Sequence, residues 1–180
     1  KNAIFEKTKL ASIGPRVKFN PSSKIERLSI QSTFLFPIAD SLESPYFVNH
    51  NRFTWFTQLF FDQDLGQKFQ VFLEADFLYR IKTGTNGNRN FFRTPLSGFL
   101  SYFPTPKSTI FAFTQYSPRF ETVENSVDKQ FGLSQWFTQV GFGAKYQATS
   151  KIGLEISYSN FIAGRLTGSG YSVNFGVRYI

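Results

Sequence analysis

Apolar and polar residues alternate with a period of two along most of this chain, the spacing that builds half-covered strands rather than helices. The clearest run is 69–82. Phe69, Val71, Leu73, Ala75, Phe77, Tyr79 and Ile81 fall on one face, and Gln70, Phe72, Glu74, Asp76, Leu78, Arg80 and Lys82 on the other. The last segment sets Tyr171, Val173, Phe175, Val177 and Tyr179 against Ser172, Asn174, Gly176 and Arg178. Before it, Ile152, Leu154, Ile156 and Tyr158 alternate with Gly153, Glu155, Ser157 and Ser159. The pattern predicts nine strands, near 10–20, 28–39, 52–63, 69–82, 94–104, 109–121, 135–148, 151–163 and 170–180.

Most of these runs exceed the roughly five or six residues of a soluble strand. They match the roughly nine to eleven that a tilted strand needs to cross a bilayer. Short joints at 20–27, 64–68, 104–108 and 149–151 separate longer polar loops at 40–51, 83–93 and 122–134; the joint at 164–169 is brief. Short turns on one side and longer loops on the other are expected of a membrane barrel. The fold class expected is therefore all-β, an antiparallel up-and-down transmembrane β-barrel, with residues 1–180 forming one barrel domain. Two turns share a pattern, Lys18-Phe19-x-x-x-Ser23-Lys24-Ile25 and Lys145-Tyr146-x-x-x-Ser150-Lys151-Ile152, in which the same geometry selects similar residues.

Composition narrows the choices. With 24 Phe, 8 Tyr and 2 Trp the chain is 19% aromatic, which a disordered segment is not. No Cys is present, so disulfides and thiolate metal sites are excluded. The longest apolar runs span about six residues, too few for a transmembrane helix. The net charge of +8 comes from cations spread singly along the chain, not from the basic stripe a nucleic-acid surface needs. Trp55, Tyr79, Tyr102, Trp136, Tyr146, Tyr158, Tyr171 and Tyr179 are expected at the two membrane interfaces, where amphipathic rings gather. The competing reading makes them core aromatics of a soluble barrel.

Several stretches together carry a family resemblance. They are Ile13-Gly14-Pro15-Arg16-Val17-Lys18-Phe19-Asn20-Pro21, Leu28-Ser29-Ile30-Gln31-Ser32, Tyr79-Arg80, Ser101-Tyr102-Phe103-Pro104, Gly141-Phe142-Gly143-Ala144-Lys145-Tyr146-Gln147 and Asn174-Phe175-Gly176-Val177-Arg178-Tyr179-Ile180. The chain resembles the poorly characterised outer-membrane β-barrel proteins of Bacteroidota. That resemblance implies a bacterial outer-membrane location and contact with outer-membrane lipid, and leaves the role open. Ile180 stands where such barrels usually end in an aromatic residue.

The second face of each strand is expected to line a lumen. Arg16, Lys18, Glu74, Asp76, Arg80, Lys145, Glu155 and Arg178 form the expected ionic network, with Lys82, Arg119, Gln31, Gln58, Gln115 and Gln139 among them. An Arg or Lys facing lipid at mid-depth costs about 2–4 kcal/mol, so the lumen is their place. Glu74, Asp76 and Glu155 are expected to pair with Arg16, Lys18, Arg80, Lys145 or Arg178, because unpaired charge in a narrow lumen is costly. Phe56, Phe60, Phe72, Phe99, Phe103 and Phe113 would take up volume there, and Gly141, Gly143 and Gly153 would make room for bulky neighbours.

Chemistry is sparse. His50 is the single imidazole, in the 40–51 loop with Asp40, Glu43 and Ser44, and a polar loop produces such company freely. No catalytic residue, metal ligand, cofactor or nucleic-acid partner is expected. The expected role is structural or accessory, as a subunit of a larger outer-membrane complex. A small channel or ligand-binding barrel is the alternative, with a lipid-modifying enzyme behind both. Strand parity adds one expectation. Nine strands place the first one running inward from the cell exterior, whereas complete bacterial barrels have even counts. A barrel of ten or more strands is therefore expected, with this chain as its C-terminal part. The competing layout is an eight-stranded barrel closed between 28–39 and 170–180, with 10–20 as a plug.

Overall fold

The computed structural model describes residues 10–21, 25–38, 52–82, 90–124 and 129–179, and these are all-β. Eleven strands follow one another: β1 (Ser12–Ile13), β2 (Arg16–Phe19), β3 (Leu28–Pro37), β4 (Arg52–Asp64), β5 (Phe69–Lys82), β6 (Phe91–Arg93), β7 (Leu96–Thr105), β8 (Ser108–Glu124), β9 (Lys129–Gln147), β10 (Ile152–Arg165) and β11 (Tyr171–Tyr179). They form one antiparallel sheet in the order β1-β3-β4-β5-β6-β8-β9-β10-β11, with β2 also paired to β3 and β7 to both β5 and β8.

Two pairs of strands, β1 with β2 and β6 with β7, are single strands interrupted by proline. In β1 and β2 the partners run Ile13↔Phe36 and Arg16↔Thr33 without a change of register. Pro15 cannot donate to the ladder, yet its carbonyl accepts from the Phe34 amide at 3.0 Å. Gly14 lies so close to the Phe34 carbonyl that any side chain there would collide with it. Pro95 divides β6 from β7 in the same way, with Asp76 N donating to its carbonyl at 2.8 Å. Counted through these breaks, the sheet has the nine strands that the alternation predicts.

The hairpin of β8 and β9 departs from expectation. The 122–134 stretch, read as an outer loop, is largely strand, since β8 continues to Glu124 and β9 begins at Lys129. A bulge explains the misreading. The register shifts between Arg119 and Phe120, and Ser134 is the extra residue, its hydroxyl donating to the Arg119 carbonyl at 3.2 Å. One inserted residue reverses the alternation, so the period of two breaks at 134 although the strand does not. A second bulge lies in β10 between Phe161 and Ala163.

The short joints are built as their residues suggest. Thr149 Oγ1 accepts from the amides of Lys151 and Ile152 at 3.2 and 3.0 Å. At the 64–68 joint, Leu65 N donates to Phe69 O at 2.8 Å and Gly66 takes a φ of +80°, a conformation glycine adopts without strain.

The two faces of the sheet differ sharply. Leu73 (47% exposed), Phe142 (63%) and Phe175 (78%) stand open on one face, together with Val140 and Ile156. On the other face the covered residues are polar and mostly small: Thr33, Thr54, Asp76 (8% exposed), Ser97 and Ser117 (1%). Phe91 and Phe111 are the buried large apolar residues among those described. A soluble protein buries its apolar face and wets the other. Here the assignment is reversed, so the expectation that Glu74, Asp76 and Glu155 lie opposite the exposed apolar set agrees with the register.

The sheet has two outer edges. Among the described residues β11 pairs only with β10, and β1 and β2 only with β3. β3 is flanked by β4 and by the 12–19 strand, which runs in register along it. Residues 12–19 are therefore part of the sheet, not a plug, and β3 does not close against β11.

Candidate functional site

The polar face is organised in tiers, each set by cross-strand register. Its middle is a belt of amides. Gln31 Nε2 donates to Gln58 Oε1 at 2.9 Å, and Gln58 Nε2 donates to Glu74 Oε1 at 2.8 Å. From the other direction Gln139 Nε2 donates to Gln115 Oε1 at 2.9 Å, and Gln115 Nε2 to Ser97 Oγ at 3.0 Å. Glu74 and Ser97 are directly opposed on β5 and β7. The two chains thus meet there, and the belt runs across six neighbouring strands.

Toward the short turns lies a tier of phenyl rings. Phe60, Phe72, Phe99 and Phe113 follow one another at centroid spacings of 5.9, 5.8 and 5.3 Å. Lys18 Nζ sits 5.7 Å from the Phe60 ring and Lys145 Nζ 5.3 Å from Phe111. Gly141 and Gly143 are the floor beneath these rings: a Cβ on Gly143 would come within 2.5 Å of the Phe111 ring and of the Ile156 carbonyl. Both glycines play the space-making part expected of them. Gly153 is different, since a Cβ there would meet only ordinary contacts.

At the opposite end four arginines converge. The guanidiniums of Arg52, Arg80 and Arg119 stand 5.3, 5.5 and 4.2 Å from the centre of the Phe91 ring. Arg93 is cross-strand partner to Arg119, donates Nη2–H to Gln135 Oε1 at 3.0 Å, and lies 5.9 Å from the Phe137 ring. Arg119 bridges to Glu121 at 2.8 Å.

The expected ionic network is only partly assembled. Glu155 pairs with Lys145 at 3.5 Å, both half-exposed, and Arg178 lines a cavity of about 260 Å³ with them. Arg16 hydrogen-bonds Thr33 at 3.2 Å, Lys18 covers Phe60, and Arg80 covers Phe91. Glu74 and Asp76 have no cation within 4 Å among the described residues, which corrects the expectation of salt bridges for them. The row Lys18–Gln31–Gln58–Asp76 shows why. Two glutamine-bearing strands stand between cation and carboxylate, each adding about 4.8 Å. The Gln58 amide, not a counter-charge, contacts Glu74.

The eight interface candidates do share a face. Trp55 faces Phe34 and Tyr79, Tyr102 faces Phe69, and Tyr158 faces Phe142. Tyr146, Tyr171 and Tyr179 are open on the same apolar side, and Trp136 contacts Tyr116 at 6.0 Å. Arg52, Arg93 and Ser97 were not in the expected network. Arg52 and Arg93 sit at strand ends beside polar loops, where alternation is too short to assign a face. His50, Asp40, Glu43 and Ser44 lie outside the described residues. Among the described residues no cluster of three or more His, Asp or Glu could hold a metal ion. Compared with family models, curated proteins and solved structures, the chain matches none.

Proposed function

We propose that the chain forms the wall of an outer-membrane β-barrel with a structural or accessory role, as a subunit of a larger envelope complex. The observation that carries this reading is the reversed polarity of the sheet. Leaving Leu73, Phe142, Ile156 and Phe175 in water while covering Thr33, Asp76, Ser97 and Ser117 is unfavourable in aqueous solution and favourable against lipid. Strand length supports it: β4 has 13 residues and β5 has 14, enough to cross a bilayer at a tilt. The aromatic handles agree. Trp55 and Tyr79 sit together on the apolar side, and Trp55 Nε1 donates to Ser32 Oγ at 3.1 Å.

Phenyl rings and amides cover the middle of the polar face, which favours a wall or scaffold over a wide aqueous channel. The two sheet edges fit closure by further strands in the assembled barrel. Expression in a Gram-negative host tests the reading. The protein should sediment with outer membranes, resist carbonate extraction, give no stepwise conductance in planar bilayers, and bring companions with it in mild detergent. Recovery as a folded soluble protein would overturn the membrane reading. Steady conductance from the pure protein would favour a channel instead.

A further inference from the structure

We infer that the cluster of Arg52, Arg80, Arg93 and Arg119 at Phe91 and Phe137 is a binding site for a phosphate-type oxyanion carried on a water-soluble ligand. Like charges directly opposed across two strands repel, and Arg93 and Arg119 are such a pair. A fold that needed only coverage there could use threonine or serine, as it does at Thr54 and Ser117 on the same face. Instead it gathers guanidiniums and fixes them against rings: three at Phe91 and one at Phe137. A guanidinium within about 6 Å of a ring centroid is attracted to the ring, which helps to fix its position.

The donors are there. The Nε atoms of Arg93 and Arg119 are buried and have no hydrogen-bond partner, although their Nη2 atoms bond Gln135 and Glu121. A buried unused donor costs about 1–3 kcal/mol, a cost that an incoming acceptor removes. A tetrahedral phosphate matches the arrangement better than a carboxylate does, because it presents oxygens in several directions to guanidiniums approaching from β4, β5, β6 and β8. Since all four lie on the polar face, opposite the apolar one, the source is a soluble phosphate ester or diphosphate, not a lipid headgroup. The inference does not depend on where the protein resides.

Calorimetric titration of the intact protein in neutral detergent tests it, with pyrophosphate as probe and sodium chloride holding ionic strength constant. Saturable binding is expected. The double variant R93Q/R119Q should lose at least tenfold in affinity, while R178Q, at the other end of the same face, should bind like the parent. If R93Q/R119Q fails to give the native strand signal, R93K/R119K takes its place. That variant keeps the charge, loses the guanidinium fork, and should still bind several-fold more weakly. Absence of saturable binding, unchanged affinity in the folded Arg93/Arg119 variant, or an equal loss in R178Q would overturn the site. Displacement of pyrophosphate by phosphatidic acid in mixed micelles would overturn the soluble source and assign the headgroup.

Discussion

The Gln58 side-chain amide donates to the Glu74 carboxylate at 2.8 Å, and this contact joins the glutamines of β3 and β4 to the centre of the polar face. Removing it leaves a part-buried carboxylate and the Gln31 amide without their partner. Q58L should therefore lower the unfolding free energy by about 1–3 kcal/mol, the cost of stranding buried polar groups. E74Q keeps the shape and an acceptor oxygen, and should cost less than Q58L. Urea unfolding of the detergent-folded protein, followed by its strand signal, checks both. Equal stability of Q58L and the parent would mean that the belt is incidental.

Glycines 143 and 176 both lie on strands of the polar face, yet their surroundings differ. A methyl at 143 meets the Phe111 ring and the Ile156 carbonyl, whereas at 176 its nearest contact is Glu155 Cβ at 3.5 Å. G143A should cost about 1–3 kcal/mol through overpacking. G176A should be tolerated, with folding yield and melting temperature close to the parent. The comparison separates a steric need from a general dislike of substitution in the sheet.

The Lys145–Glu155 pair is half-exposed at 3.5 Å, so its contribution is small. A double-mutant cycle with K145A and E155A should return a coupling energy of about 0.2–1 kcal/mol, diminishing at high salt. A larger, salt-insensitive coupling would indicate that assembly buries the pair.

Adjacent residues Ile156 and Ser157 point to opposite faces, as their partners Phe175 and Asn174 show. In a bilayer I156R should destabilise the fold by about 2–4 kcal/mol, as Arg does on the lipid face near mid-depth. S157R should cost less. If I156R instead improves recovery from aqueous extracts without loss of stability, the apolar face is not a lipid face.

Much of this fold is legible in the residues themselves. The run 69–82 alternates without a break, and β5 spans Phe69–Lys82. Legibility ends where one residue disturbs the count. Ser134 hid the first third of β9, and Pro15 and Pro95 split continuous strands without shifting their register. The polar face was harder to read. Alternation assigns a residue to a side but says nothing of its neighbour across the sheet. Gln31, Gln58, Gln115 and Gln139 could be placed inward, but their joining into a belt depends on register. The same holds for Arg52, which meets Arg80 and Arg119 at Phe91 only because β4, β5, β6 and β8 lie in that order, and for Arg93, which register sets opposite Arg119.

Trp55 and Trp136 are the only two tryptophans in the chain, and both lie on the apolar side of the sheet. They report on the central claim, that this side faces lipid, without any substitution. In vesicles of phospholipid brominated near the headgroup end of the acyl chains, their fluorescence should be strongly quenched, while iodide in the buffer should have little effect. Strong iodide quenching with no response to brominated lipid would place the apolar face outside the bilayer and contradict the account.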